Sequence, residues 1–457
     1  MKKVFVFCVG GTGLRVMKSV TMLMAAGMDT NGYTVVPVKV DPHRDLGERK
    51  GLNVIIEDYN KIYKGSVCNE NEILNPIRGF FSSAIDYQLD SEVALGGEEK
   101  RFGEYINANL PDDDVNKYFV QTLYSQKSLD SKLSVGFKGN PNVGTVVLGD
   151  MIEGKKWFDK FKDSYHEGDR IFIISSIFGG TGASGYPIIE KKIREAKEYT
   201  ELSKALMGAV TVLPYYALDD PSATNSDIDS TSFLTKAKSA LAYYENTVLS
   251  DYLYYVGEKS ENWTTYENNE SEQKDKAHFV ELVAASALFD FLTKEKPETT
   301  RYLSRAIKID NPSLDRISLG DGYNDIIRCV ANFMLLRIIV KTLPSEKYFP
   351  LKKRCGMDDK FYNSDEYVTL NNFMEMFKDW YDELATNKRA FAPLNVDKEK
   401  QLTTWIKGMS LSLNNDSDIL LEMINAYHRE NINHTNRLRY LLSFAYTAIN
   451  KFTKDLK

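Results

Sequence analysis

The sequence has few of the residues that build metal centres or disulfide frameworks. It contains five histidines in 457 residues. Its four cysteines lie far apart, with no Cys-x-x-Cys pair and no nearby histidine at metal-ligand spacing: Cys8, Cys68, Cys329 and Cys355. Zinc sites need such clusters. We therefore predict reduced thiols in a cytoplasmic protein that has no metal centre built from its own side chains.

Long apolar runs and an excess of positive charge are also lacking. A membrane-spanning helix needs about 20 apolar residues, and the nearest candidate, residues 326–340, contains Arg328 and Arg337, which predicts a buried helix instead. The net charge of −6 disfavours nucleic acid as the main partner, because affinity for phosphate backbones depends on clustered Lys and Arg. The apolar run Val4–Val9 ends at glycines, which predicts a first strand and not a signal peptide.

The N-terminal half alternates strand-like and helix-like segments, a pattern typical of an α/β unit with a mostly parallel sheet. Short apolar runs predict strands at residues 4–9, 34–40, 170–177, 205–215 and 251–256. Apolar residues at helical spacing and local turn signals predict helices at residues 14–26, 187–196 and 233–245. Pro187 is expected in the first turn of its helix, where no backbone donor is lost.

Residues 277–292 have almost no polar face, and a helix that is apolar all round must be buried on several sides. We therefore predict a core helix between two halves of the molecule. Beyond about residue 320 the chain is predicted to be mostly helical, with helices near 324–342, 368–386, 398–411 and 417–452. The predicted domains are 1–295, which includes the core helix, and 296–457, a helix-rich C-terminal domain.

Two glycine runs each lie between an apolar strand and a helix: Gly10-Gly11-Thr12-Gly13 and Gly179-Gly180-Thr181-Gly182-Ala183-Ser184-Gly185. Glycine lets the backbone approach a ligand, and a helix N-terminus adds partial positive charge. A phosphate group fits that environment, and the hydroxyls of Thr12 and Thr181 can add contacts. The alternative is that each run is only a tight strand-to-helix turn. Two such runs in one chain favour phosphate binding.

Neither glycine run carries the Lys-Ser/Thr of a P-loop. The dinucleotide pattern Gly-x-Gly-x-x-Gly fits Gly11-Thr12-Gly13 and then meets Val16, and an acidic residue follows at Asp41. A Rossmann-like oxidoreductase with a nicotinamide or flavin ligand is therefore one alternative. Motifs of serine hydrolases and zinc proteases, Gly-x-Ser-x-Gly and His-Glu-x-x-His, do not occur.

The strand at 171–174 and the following run Phe178 to Pro187 resemble the signature of the tubulin/FtsZ superfamily, a strand followed by Gly-Gly-Gly-Thr-Gly-x-Gly. Phe178 replaces the first glycine of that signature and Ser184 replaces a later one. Three further segments are similar to family loops in the family's order: Gly10–Gly13, Val40–Leu46 and Gly96–Gly103. The resemblance covers roughly residues 1–295. The sequence around His278 resembles that of divergent bacterial members of the superfamily.

The resemblance implies a GTP-binding domain over residues 1–295, with GTP or GDP as the ligand, with or without Mg²⁺. The ribose would lie near Asp229, the guanine near Asp275, and His278 would form part of the pocket wall. The other residues implied to contact the nucleotide are Gly10, Gly11, Thr12, Gly13, Asp41, Gly96, Gly97, Gly179, Gly180, Thr181, Gly182 and Ser184.

The resemblance also implies a head-to-tail homopolymer with nucleotide at the subunit boundary. Family members hydrolyse GTP when a neighbouring subunit inserts an acidic loop that follows the core helix. The candidates here are Asp310 and Asp315, which are equally explained as turn residues. The alternative is a non-hydrolysing nucleotide-binding scaffold or sensor in a multi-protein bacterial system, with partner proteins on the C-terminal helices.

Overall fold

A computed structural model describes the chain at residues 2–42, 47–66, 79–87, 89, 100–108, 114–133, 137, 139–152, 155–218, 232–247, 249–266, 276–306, 323–345, 355–395, 417–429 and 436–453. The strands in these ranges are β1 (Lys3–Val9), β2 (Thr34–Val40), β3 (Arg170–Ser176), β4 (Leu206–Val212), β5 (Tyr216–Leu218), β6 (Tyr252–Gly257), β7 (Thr264–Tyr266) and β8 (Arg301–Ala306).

Six of these strands form one parallel sheet in the order β2-β1-β3-β4-β6-β8, and β5 and β7 form a small parallel pair. The register places Val9 beside Val40 and Cys8 beside Ile174, so the three strands β2, β1 and β3 end together. The chain runs from β1 outward to β2 and then returns to β3 on the other side of β1. The strand order therefore reverses between β1 and β3.

Helices cover both faces of the sheet. In chain order they are α1 (Gly10–Ala25), α2 (Gly47–Ser66), α3 (Phe102–Tyr105), α4 (Asp114–Leu123), α5 (Gln126–Leu129), α6 (Pro141–Ile152), α7 (Lys156–Ser164), α8 (Gly180–Glu195), α9 (Thr200–Ser203), α10 (Phe233–Thr247), α11 (Phe279–Leu292), α12 (Tyr323–Thr342), α13 (Asp359–Tyr362), α14 (Asp365–Thr386), α15 (Ser417–Arg429) and α16 (Arg437–Thr453). One buried core contains α1, α2, α11 and the C-terminal helices, and the other contains α6, α7 and α8.

The predicted core helix is confirmed as α11, which packs against α1, β4 and β6. Ser286 and Asp290 are its two residues that are not buried. The predicted α/β class, the parallel sheet and the helix-rich C-terminal region are also confirmed. The sheet extends past residue 295 with β8, a strand that the sequence patterns did not predict. The division of the chain into two domains stays a prediction.

Two helices begin earlier than predicted, because each glycine run forms the first turn of the helix that follows it. Helix α1 begins at Gly10 and not at residue 14, and α8 begins at Gly180 and not at Pro187. The prediction that Pro187 lies in a first turn is therefore wrong, since Pro187 is inside α8. A proline there leaves the carbonyl four residues earlier without its helical donor. The hydroxyl of Tyr244 donates to that carbonyl, Ala183 O, at 3.0 Å.

The C-terminal region packs as helices against α2 and against each other, with α14 on α2 and α16 on both α12 and α15. Predicted helices near 324–342 and 368–386 are confirmed as α12 and α14. The single predicted helix at 417–452 is wrong, because α15 ends at Arg429 and α16 begins at Arg437. The predicted helix at 398–411 lies outside the described residues.

Within the described ranges, no helix is both long and apolar enough to cross a membrane. The same ranges contain no cluster of three or more His, Cys, Asp or Glu side chains arranged to hold a metal ion. Cys8, Cys329 and Cys355 are not disulfide-bonded within the described residues, whereas Cys68 lies outside them.

Candidate functional site

The reversal of strand order between β1 and β3 places a crevice at the carboxyl ends of these two strands. In open α/β sheets, ligands bind in the crevice at such a reversal. Both glycine runs lie there, because one follows β1 and the other follows β3. The N-termini of α1 and α8 therefore open at the same place, and each contributes unpaired N–H groups and the positive end of a helix dipole.

The two glycine runs lie next to each other, with no room for a side chain between them. A Cβ added to Gly10, whose φ is +72°, would lie 3.3 Å from Thr181 Cβ and 3.5 Å from Gly182 N. At Gly13 the added atom would lie 2.7 Å from the carbonyl carbon of Cys8 and 2.9 Å from Ile174 O. Gly13 therefore allows α1 to lie directly on β1 and β3.

The glycines of the second run are fixed by packing in the same way. A Cβ at Gly182 would lie 2.4 Å from Ser176 O, and one at Gly185 would lie 2.5 Å from Val9 Cγ1. One at Gly180 would lie 2.8 Å from Phe137 Cβ. Gly182 and Gly185 are required for helix-to-strand contact, as the tight-turn alternative supposes, and Gly180 is required for contact with the residues that precede α6. Gly11, Gly179 and Thr181 are partly exposed and remain available to a ligand.

The predicted hydroxyl and carboxylate contacts lie around the same crevice. Thr12 is buried, with its Oγ1 3.5 Å from Arg15 Nη2. Asp41 is buried at the end of β2, one strand away from the reversal. The Ser184 hydroxyl donates to Gly180 O at 2.7 Å, inside its own helix, so a contact with phosphate would require it to leave that bond.

A buried ion pair beside the first glycine run was missed from the sequence. Arg15 Nε donates to Glu281 Oε1 at 2.8 Å, and the Tyr215 hydroxyl donates to the same oxygen at 2.7 Å. Arg15 Nη2 also donates to Tyr215 Oη at 2.9 Å. Burial and the Glu281 carboxylate raise the pKa of Tyr215 well above its usual value, although Arg15 opposes this, so Tyr215 stays a donor. We call these residues the Arg15–Glu281–Tyr215 cluster.

This cluster connects the crevice to the core helix, since Arg15 belongs to the first turns of α1 and Glu281 to the first turn of α11. The sequence did contain a signal for it. Arg15 and Glu281 are opposite charges in two helices that are mostly apolar, and a charge that is buried needs a partner.

His278 is the N-cap residue of α11 and is fully buried. Its Nδ1 accepts from Val280 N at 3.1 Å, which places the ring proton of neutral His278 on Nε2. The Nε2 atom has no hydrogen-bond partner among the described residues. Burial lowers the pKa of His278 to about 3; Glu258 opposes this shift, and Arg15 and Arg389 add to it. The ring packs against Tyr215, with the two centroids 5.0 Å apart.

A cavity of about 140 Å³ adjoins the cluster between α1, α2 and the start of α11. Its walls are formed by Leu14, Arg15, Lys18, Gly47, Gly51, Leu52, Ile55, Ala277 and Glu281. Apolar side chains therefore form part of the wall, and Arg15, Lys18 and Glu281 supply donors and an acceptor beside them. Such a mixture is typical of small-ligand sites.

Six of the predicted site residues lie outside the described residues: Gly96, Gly97, Asp229, Asp275, Asp310 and Asp315. Their roles stay predictions. Among the predicted residues that the structure describes, Gly10–Gly13 and Gly179–Ser184 meet at one crevice. Asp41 directly follows β2, the strand next to β1. His278 packs against the ring of Tyr215.

No protein-family model matches the chain, and no curated protein matches it. Among solved structures, CetZ from Methanosaeta thermophila strain DSM 6194 is similar to it with 16% identity and a TM-score of 0.24. The match covers 56% of this chain and 46% of CetZ, so the chain spans less than half of that structure. Because this TM-score is too low to carry an argument, the function must be inferred from the geometry and the sequence.

Proposed function

We propose that this protein binds GTP in the crevice between β1 and β3, with the phosphates on the two glycine runs. The observation that supports this most is the meeting of two glycine-rich helix N-termini at one reversal of strand order. Phosphate binds well at a single helix N-terminus, because N–H groups and the dipole both favour an anion. Two such termini side by side could bind more than one phosphate group of the same ligand.

The choice of GTP rests on the resemblance of the run Phe178 to Pro187 to the tubulin/FtsZ signature. The partly exposed Gly11, Gly179 and Thr181 would contact the phosphates, and Mg²⁺ would neutralise part of their charge. The same resemblance supports head-to-tail assembly with nucleotide at the subunit boundary, which generates filaments when the contact does not close into a ring.

The first experiment is a calorimetric titration of the protein with GTP, with ATP and NADH as comparators. We expect selective binding in the micromolar range, on the order of −8 kcal/mol. Binding of ATP with equal affinity would remove the guanine assignment, and the absence of any nucleotide binding would remove the proposed function.

Gly11→Asp tests the position of the phosphates. Gly11 is partly exposed at the crevice, so the new carboxylate would lie where phosphate binds and would repel it. We expect at least about a hundredfold loss of GTP affinity in calorimetry, which corresponds to about 2.7 kcal/mol. Gly149→Asp is the matched control, because Gly149 is also in a helix and has open space at its Cβ position. Equal affinities of the two variants would contradict the phosphate assignment.

Gly180→Asp is less informative than Gly11→Asp. A side chain at Gly180 would collide with Phe137 and with Asn140 N, 3.0 Å from the added Cβ. A loss of binding in that variant would report disrupted packing as readily as lost phosphate contacts.

Assembly and hydrolysis are tested separately from binding. If the protein assembles, it should pellet on centrifugation in the presence of GTP. If a neighbouring subunit completes the site, the rate of phosphate release per protein molecule should rise with protein concentration. Asp310→Asn and Asp315→Asn should then lower phosphate release without changing GTP affinity. Binding of GTP without sedimentation or phosphate release would instead support the scaffold or sensor.

A dinucleotide is the second candidate ligand, and Asp41 is the observation that favours it. An acidic residue at the end of the strand next to β1 is where dinucleotide-binding folds hold the ribose hydroxyls, and Asp41 directly follows β2. The NADH titration tests this. Tight NADH binding that is lost in Asp41→Asn would identify a dinucleotide, and not GTP, as the ligand.

A further inference from the structure

One stretch of the C-terminal helical region, residues 380–391, contacts both α1 and the start of α11, and we call it the 380–391 segment. It comprises the end of α14 and the residues that follow. Trp380 Nε1 donates to Ser19 Oγ at 3.3 Å on α1, and Phe391 stacks on Phe279 of α11 with centroids 6.1 Å apart. The segment therefore touches two of the three helices that bound the cavity.

Glu383 bridges the two helices with one carboxylate oxygen. Its Oε2 accepts from Ala277 N at 3.0 Å and lies 3.5 Å from Lys18 Nζ. Lys18 belongs to α1, and Ala277 immediately precedes the N-cap of α11. Both residues line the cavity, and Glu383 itself is not part of its wall.

Two further residues of the segment bind the chain at the start of α11 and at the end of β6. Asn387 Nδ2 donates to Ala277 O at 3.2 Å, so both backbone polar groups of Ala277 are bound by side chains from the C-terminal region. Arg389 binds Glu258, which follows β6, with Nε–Oε2 at 2.6 Å and Nη2–Oε1 at 2.9 Å. Bidentate pairs of this kind are geometrically specific, and this one is buried.

We propose that Glu383 is a positioning residue for the crevice and that the C-terminal helical region thereby sets its affinity for ligand. The inference rests on the proposed nucleotide binding for its functional consequence. Glu383 fixes the spacing between Lys18 on α1 and Ala277 at the start of α11. The Arg15–Glu281–Tyr215 cluster spans the same two helices one turn away, so a change in that spacing alters its geometry too.

The decisive comparison is between Glu383→Ala and Glu375→Ala. Both glutamates belong to α14 and both are ion-paired, but Glu375 binds Arg337 and Lys341 of α12, away from the cavity. In the ligand-free protein, hydrogen exchange of the amides at 277–282 should become about tenfold faster in Glu383→Ala and stay unchanged in Glu375→Ala. The affinity for GTP should fall about tenfold in Glu383→Ala alone.

Lys18→Met and the double variant Lys18→Met/Glu383→Ala separate positioning from direct contact. If Glu383 acts through Lys18 and Ala277, the double variant loses less affinity than the product of the two single losses, because neighbouring residues that share an interaction are not additive. Independent losses would show that Lys18 contacts the ligand by itself and that Glu383 does not position it.

The two proposals fail in different ways. If wild-type protein binds neither GTP nor NADH, the proposed function fails, and the exchange measurement still decides the role of Glu383. If exchange at 277–282 is the same in Glu383→Ala as in wild type, the positioning role is overturned whatever the ligand.

Discussion

At the scale of single residues, the Arg15–Glu281 pair carries a large predicted effect on stability. Both side chains are almost completely buried, at 5% and 1% exposure. Arg15→Met should destabilise the protein by about 3–5 kcal/mol, because it leaves the Glu281 carboxylate buried without its countercharge. Urea unfolding monitored by circular dichroism measures this.

The double variant Arg15→Met/Glu281→Gln provides the control. The Tyr215 hydroxyl and the His278 amide donate to different oxygens of Glu281. Glutamine keeps one of these two acceptors and removes the buried charge, so the double variant should be more stable than Arg15→Met. If instead it loses the sum of the two single effects, then Arg15 stabilises the protein by packing and not by neutralising Glu281.

His278 predicts a specific dependence of stability on pH. Its pKa in the folded protein is about 3, below the usual value of 6.5, because burial disfavours the charged ring. The unfolded chain therefore binds a proton between pH 6.5 and 3 that the folded protein does not. Stability is present above this window and falls on acidification, by about 1.4 kcal/mol per pH unit from this residue.

His278→Asn isolates that contribution, because asparagine can still cap α11 and does not titrate. Urea midpoints at pH 7, 6 and 5 should show wild type losing stability faster than the variant as the pH falls. Parallel pH profiles would mean that other groups account for the whole dependence.

At the scale of elements, helix α8 combines a glycine-rich first turn with an internal proline. Tyr244 on α10 binds the Ala183 carbonyl that Pro187 leaves without a helical donor. Tyr244→Phe should cost about 1–3 kcal/mol of stability, since it leaves that buried acceptor unsatisfied. In a Pro187→Ala background the helix supplies its own N–H, and the same change should cost less.

A double-mutant cycle of Tyr244→Phe and Pro187→Ala, measured by chemical denaturation, gives the coupling between the two residues. Equal costs of Tyr244→Phe in both backgrounds would show that the hydroxyl does not compensate for the proline.

The elements also show what the sequence could reveal. Strands β1 to β4, β6 and α11 were predicted, because continuous apolar runs report burial directly. The glycine runs were expected ahead of their helices and in fact form the first helical turns. The low helix propensity of glycine is overridden there by close packing, in which Gly13 lies on β1 and β3 and Gly182 lies on the end of β3. β8 was missed because Arg301, Ser304 and Arg305 break its apolar pattern.

The candidate site was predicted in part for a similar reason. The glycine runs stand out locally, so Gly10–Gly13 and Gly179–Gly185 were found. Arg15, Tyr215 and Glu281 come from three distant segments, and only the fold brings them together. The contact between Glu383 and Ala277 joins residues about 100 positions apart, so no local sequence pattern predicts it.

At the scale of the whole molecule, the C-terminal helices and the sheet share one buried core. Phe373 of α14 illustrates this, because its ring contacts Tyr59 of α2, Phe81 and Phe333 of α12. Phe373→Ala should cost about 3–5 kcal/mol. The variant should still unfold in a single transition, with a lower denaturant midpoint that is the same by fluorescence and by circular dichroism.

Val368→Ala on the same helix is the control. Val368 is 46% exposed, and surface substitutions usually change stability by no more than about 0.5 kcal/mol. Two separate transitions in Phe373→Ala would show that the C-terminal helices unfold independently of the sheet.

The contact between the two glycine runs also has a consequence for synthesis of the chain. About 170 residues separate Gly10 from Thr181, and a ribosome adds roughly 5–20 residues per second. The first run therefore emerges some ten to thirty seconds before its counterpart, and the start of α11 comes about 100 residues later still. Throughout that interval a nascent chain has only one of the two glycine runs, so under the proposed function nucleotide binding begins only after the second run has emerged.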